Sequence, residues 1–434
     1  MMRSRQKTAL TLLLILFLSG VLTSRPAGAD LKTKILVNPA PYLPPQCYTK
    51  TVGANDRIHN TCYTCHTRGM RPDFINDRDL QEEYVFPGDT IRNHWTNLFK
   101  DRRPEVATIS DDAIQAYVRR SNYQEPDGTL TLAKRLKQTP AAWDHDGDGR
   151  WAGFIPDCYF DFDDQGFDRQ PDGTATGWRA LAYYPFPSTY WPTNGAFSDV
   201  LIRLPAPFRT VDGRMHREAY RLNLAIVEAL IKRRDVTIAP TEESTWGVDL
   251  NRNGRLDTAR RIVFDWAPLE GRHMAYVGDA RRLQKNGDAH LAAGLYPEGT
   301  EFLSTLRYID IGSDGRTRIA PRMKELRYMQ KTRWRTYAEL ETLAMNEIKE
   351  RNDFPDRLKL PRGNLEDGIS NGQGWRLQGF IEDADGRLRP QTFEETASCI
   401  GCHGGIGATT DSTFALARKL DAAAFQEGWF HWSR

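Results

Sequence analysis

Cys62, Cys65 and His66 stand in the run CYTCH, and Cys399, Cys402 and His403 stand in CIGCH near the other end of the 434-residue chain. Two thiols separated by two residues can add across the two vinyl groups of one haem, and the histidine that follows is then placed to bind the iron. The same thiols can instead hold zinc, if Cys62, Cys65, Cys399 and Cys402 converge on one tetrahedral site. They can also cycle as redox pairs, where a strand precedes and a helix follows. Zinc leaves both histidines without a role, and neither run has the context of a redox pair. Covalent haem accounts for all six residues, and a chain with six cysteines and nine histidines in total seldom produces the pattern twice by accident.

The second axial ligand decides what such a haem does: two strong protein ligands favour electron transfer, whereas an open position lets a small molecule bind. His94, beside Trp95 and Phe99, is the first choice of distal ligand for the first haem. His59 and Met70 lie too close to the motif to reach the far face of the same haem, although His59 could ligate the other one. For the second haem His216, His273, His290, Met323, Met329 and His431 stay open. The run RMKELRYM, Arg322 to Met329, reads as the solvated face of an amphipathic helix, with methionine ligation as the competing role.

On Cys62, Cys65, His66, Cys399, Cys402 and His403 the chain resembles the c-type cytochromes, although the resemblance covers only short segments around them. It implies two covalently bound haem c groups with His66 and His403 as proximal iron ligands. The expected function is that of an exported di-haem protein passing electrons to or from a redox partner protein. The alternative is a di-haem oxidoreductase with one five-coordinate haem acting on peroxide, oxygen or a small substrate. Di-haem peroxidases carry their motifs much closer together, so their activity does not transfer, and no catalytic residue is identified. A sensory or structural haem is a third reading.

Two aspartate-rich runs suggest calcium. In DHDGDG, Asp144, Asp146 and Asp148 alternate before Gly149 at the sixth position; in DLNRNGRLD, Asp249, Asn251, Asn253, Gly254 and Asp257 take positions one, three, five, six and nine. Loops of the EF-hand type use this arrangement and close with a bidentate glutamate at position twelve. Here position twelve is Ile155 or Arg260, so another chain segment, or Asp157 in the first loop, must complete the shell. Polar turns are the competing reading, and a third run, Asp161 to Asp168, has the weakest pattern.

The elements that must position these groups are those of a loop-rich α+β body with few long elements, its haem-binding segments near both ends and a large α+β insertion between them. Helices are expected over Ser110–Asn122, Arg217–Asp235 and Arg333–Asn352, with FALARKL a short helix near the end. Strands are expected at Asp199–Leu204 and Arg260–Trp266. The pairs Asp127-Gly128, Asp172-Gly173, Asp212-Gly213, Asp314-Gly315 and Asp385-Gly386 mark hairpins. Residues 1–29 read as a cleavable signal peptide: Arg3, Arg5 and Lys7, an apolar stretch from Ala9 to about Leu22, then Ala27-Gly28-Ala29 before Asp30. That sequence predicts a periplasmic or secreted protein without a stable membrane anchor. The remaining divisions are 30–125 and 391–434 for the haem segments and 126–390 for the middle. A net charge of +2 on 27% charged residues gives no case for nucleic acid. Cys47 and Cys158 remain as a disulfide or as two buried thiols.

Overall fold

A computed structural model describes residues 50–52, 58–60, 103–187, 197–315, 317–354, 361–397, 399–403 and 410–413. The principal feature is a nine-stranded antiparallel sheet. Its strands are β1 (Phe167–Arg169), β2 (Ala175–Pro187), β3 (Phe197–Arg203), β4 (Glu301–Ile311) and β5 (Thr317–Lys331), then β6 (Arg362–Asn364), β7 (Gly368–Ser370), β8 (Trp375–Glu382) and β9 (Leu388–Pro390). They run β6-β7-β8-β5-β4-β3-β2-β1 across the sheet, and β9 pairs with the far end of β8 beyond β7. The fold is thus α+β with one large sheet and few helices. β2 and β5 are its longest strands, 13 and 15 residues.

Both faces of the sheet are covered, because successive side chains on a strand point to opposite sides. Ile202, Phe302, Met329 and Leu377 pack into one core with helix α2 (Arg217–Lys232). Their neighbours Leu201, Leu303, Leu326 and Phe380 pack into a second core with Trp178, Tyr123, Leu132, Leu136 and Trp151. Each fully buried aliphatic side chain contributes about 1.5–3 kcal/mol through lost water contact. Trp178 and Trp375, both wholly buried, anchor opposite faces.

Helix α1 (Asp111–Arg119) starts where Ser110 accepts a hydrogen bond from the Ala113 N–H, with Asp111 and Asp112 at its positive end. α2 is capped by His216, whose Nδ1 accepts from the Ala219 N–H at 3.3 Å. Its carboxyl end stops at Arg233 in the left-handed region. α3 (Tyr337–Asp353) begins four residues later than its sequence suggests, where Thr336 and Glu339 form a reciprocal capping box. All five Asp-Gly pairs sit in turns between antiparallel partners: Gln124 with Leu130, β1 with β2, Thr210–Val211 with Arg214–Met215, β4 with β5, and β8 with β9. The strand expected over Asp199–Leu204 is β3, which ends one residue earlier at Arg203, and the strand expected over Arg260–Trp266 is Thr258–Ile262. It ends because the Phe264 N–H turns away to the Asp235 carboxylate at 3.0 Å.

The run Arg322–Met329 is strand, not helix. Met323 and Met329 are buried in opposite cores, which accounts for their apolar character and leaves neither as a ligand. Cys158 is a buried free thiol whose pKa burial raises well above its ordinary value; Cys47 lies outside the described residues.

Candidate functional site

The two aspartate loops fold alike. In the first, Asp144 accepts from the N–H groups of Gly147 (2.7 Å) and Gly149 (2.9 Å), Asp146 from Asp148 (3.1 Å) and Asp148 from Arg150 (2.7 Å). In the second, Asp249 accepts from Asn253 (3.2 Å) and Gly254 (2.9 Å), Asn251 from Asn253 (3.0 Å) and Asn253 from Arg255 (2.8 Å). Each side chain at positions one, three and five thus folds the backbone back on itself. Gly149 and Gly254, at position six, take φ of 77° and 81°, where a side chain would be strained.

Position twelve is replaced in both loops by a buried glutamate from outside the run. Glu366, in the turn between β6 and β7 and 2% exposed, accepts from the His145 N–H at 2.8 Å and the Ala152 N–H at 2.7 Å. Glu243, 0% exposed, accepts from Leu250 (2.6 Å), Asn251 (2.9 Å) and Asp257 (3.1 Å). Both therefore brace positions two and nine, clamping the start of the loop to its exit. Neither was visible in the sequence: Glu366 comes from more than two hundred residues away, and Glu243 precedes its loop rather than following it.

The loops differ in charge. Asp144, Asp146 and Glu366 each bring a carboxylate oxygen within 4.8 Å of the other two, a convergence that suits a hard divalent cation bound by oxygen. Asp148 is not part of that group. Asp157 does not complete the shell either: it is held by Arg203 at 2.5 Å and by the Trp178 indole N–H at 2.8 Å. In the second loop the side-chain amides of Asn251 and Asn253 donate to Asp257 at 3.0–3.1 Å, so that carboxylate already has protein partners. The third run is a turn leading into β1: Asp161 pairs with Arg169 and Asp163 with Arg217, while buried Asp168 accepts from the Tyr159 and Asp161 N–H groups.

Among the cysteine and histidine candidates, Cys62, Cys65, His66, His94, Met70 and His431 lie outside the described residues. His216 caps α2, His290 stacks on Trp334 at 4.4 Å, and His273 meets Trp266 edge to face. At the second motif, Cys399 leads into the helical turn α4 (Ile400–His403). His403 Nδ1 lies 2.9 Å from the Ser412 carbonyl oxygen, which can only accept, so the proton sits on Nδ1 and Nε2 carries the lone pair. Burial pushes the imidazole below its ordinary pKa, which favours this neutral form. Asp411 and Ser412, both at positive φ, present that carbonyl; Asp411 is fixed by the Tyr296 N–H at 2.9 Å and by a buried ion pair with Lys331.

A family model described as ":-like lipoprotein" matches residues 31–432. A protein named "Uncharacterized lipoprotein" from Aquifex aeolicus (strain VF5) is 33% identical over 413 residues, which is 90% of this chain and 63% of that protein. No solved structure matches, and no cytochrome c family does. These findings overturn the resemblance to c-type cytochromes and the di-haem electron-transfer function drawn from it. The resemblance rested on two five-residue runs, whereas the lipoprotein match extends over nearly the whole chain, including the middle that the motifs left unexplained.

Proposed function

This chain belongs to the lipoprotein family whose model spans residues 31–432, and on that premise we propose that it is an exported calcium-binding protein. In this reading Ca2+ is held by Asp144, Asp146 and Glu366 and ties the first aspartate loop to the sheet. The observation that carries the proposal is the approach of those three carboxylates to within 4.8 Å of one another. Three carboxylates so placed offer oxygen ligands to one hard cation, and Glu366 contributes from a buried position. Export supports the assignment, since extracellular calcium modules operate with Kd of about 10⁻⁴–10⁻³ M. The role is structural. Residues 144–152 have little apolar cover of their own, and they are stitched to the β6–β7 turn through Glu366 and through Gln378, which accepts from the Phe154 N–H at 2.8 Å and donates to the Glu366 carbonyl at 2.6 Å. The second loop is the weaker ligand set, because the amides of Asn251 and Asn253 already occupy the Asp257 carboxylate with hydrogen bonds.

Trp143 and Trp151 flank the first loop, which makes tryptophan-sensitised terbium luminescence a direct assay. The expected result is saturable luminescence displaced by Ca2+, with Glu366→Gln weakening binding at least tenfold and Asp257→Asn changing it little. Calcium at a hundredfold excess over Kd should add about 2.7 kcal/mol of stability. Unaltered affinity in Glu366→Gln, with the variant folded by far-UV circular dichroism, would remove the basis of the assignment.

A further inference from the structure

On the face of the sheet that carries α2 lies a groove of about 450 Å³. Leu222, Ala225 and Ile231 of α2, Ile202 of β3, Ile238 and Tyr296 supply its apolar wall, and Glu218, Arg221, Glu228 and Lys232 edge it with both signs of charge. Leu224 and Ile238 remain only half-buried there among the described residues. Tyr296 is also where the chain returns from the second cysteine motif: its hydroxyl hydrogen-bonds the Thr413 side chain, and its N–H donates to Asp411. Thr413 is itself buried, so the polypeptide is pinned at the edge of the groove at that residue.

We propose that residues 414–434 of the same chain occupy this groove. Three observations select that occupant. The anchor at Thr413 delivers the segment to Tyr296, so little loop-closure entropy stands against docking. The length suffices: α2, with 16 residues, is about 24 Å long, and the segment from 414 to 434 covers about 30 Å even at the helical rise. The composition fits an apolar wall with charged edges, since Phe414, Leu416, Leu420, Phe425, Trp429, Phe430 and Trp432 are interspersed with Arg418, Lys419, Asp421 and Glu427. The segment would then complete the first core, sealing α2 against the sheet.

The full-length protein with Ala239→p-benzoyl-L-phenylalanine provides the test, because Ala239 lines the groove and is exposed among the described residues. Photolysis followed by tryptic mapping should join residue 239 to the peptide that begins at Leu420. A chain ended at Thr413 should retain its far-UV circular dichroism and bind a hydrophobic dye several-fold more strongly than the full chain. No cross-link, a cross-link to residues 30–102, to 188–196 or to a second copy, or dye binding unchanged by the truncation overturns the proposal.

Discussion

Lys331→Met is expected to lower the unfolding free energy by about 3–5 kcal/mol and the melting temperature by on the order of 10 °C. Lys331 closes β5 with its side chain 1% exposed, and its ammonium meets the carboxylate of Asp411, whose side chain is 3% exposed. Removing the cation leaves a buried carboxylate whose remaining partners include the Tyr296 N–H and the Trp375 side chain. The cost therefore arises from the stranded charge rather than from the lost attraction, and this distinguishes the pair from the exposed ion pairs of the surface. The double variant Lys331→Met, Asp411→Leu should recover at least half of the loss, because an apolar pair of similar volume needs no desolvation of charge. A second readout follows from the chain direction. Ser412, next to Asp411, sits on His403 Nδ1, so a loop loosened in the single variant should readmit water to the imidazole; because burial is the largest influence lowering its pKa and outweighs the opposing Ser412 hydrogen bond, the pKa should rise toward its ordinary value in an NMR titration. A loss below 1 kcal/mol in Lys331→Met would mean that water reaches the pair and that the loop does not depend on it.

How far the sequence could be read depended on the range of the interactions involved. The five Asp-Gly turns and the Ser110 cap were legible because a glycine at positive φ and a side chain bonding a nearby N–H act within four residues. Arg322–Met329 misled for a physical reason: its apolar residues three and six apart fit a helix face, yet the register of β5 between β4 and β8 places Met323 and Met329 on opposite sides of a sheet covered on both faces. Strands buried on two faces lose the simple alternation that identifies them. The calcium-like loops were legible at positions one, three, five and six, again a local matter. Their closure was not, since no spacing rule connects Asp144 to Glu366. The CxxCH runs show the converse: a sharp local signal at Cys399 to His403 supported a family assignment that the similarity of the whole chain does not bear out.

Glu243→Ala should cost about 3–5 kcal/mol, from up to three backbone donors left without partners at about 1–3 kcal/mol each. The effect belongs to the loop rather than to a metal. Leu250, Asn251 and Asp257 donate to one wholly buried carboxylate, and that loop passes straight into Thr258–Ile262, which pairs with Val236–Glu242 over α2. Glu243→Gln keeps the shape and one acceptor oxygen, but it turns an amide toward backbone donors, so about half of the loss should remain. Comparison with the first loop separates scaffold from ligand. If Glu366 both braces its loop and binds calcium, the destabilisation in Glu366→Gln should grow as Ca2+ is added, because only the parent protein is stabilised by binding. The destabilisation in Glu243→Gln should stay nearly constant over the same range. Chemical denaturation of the three proteins with chelator and with millimolar Ca2+ measures both differences. Parallel growth in the two variants would assign calcium to both loops, and no growth in either would leave Glu366 as a brace alone.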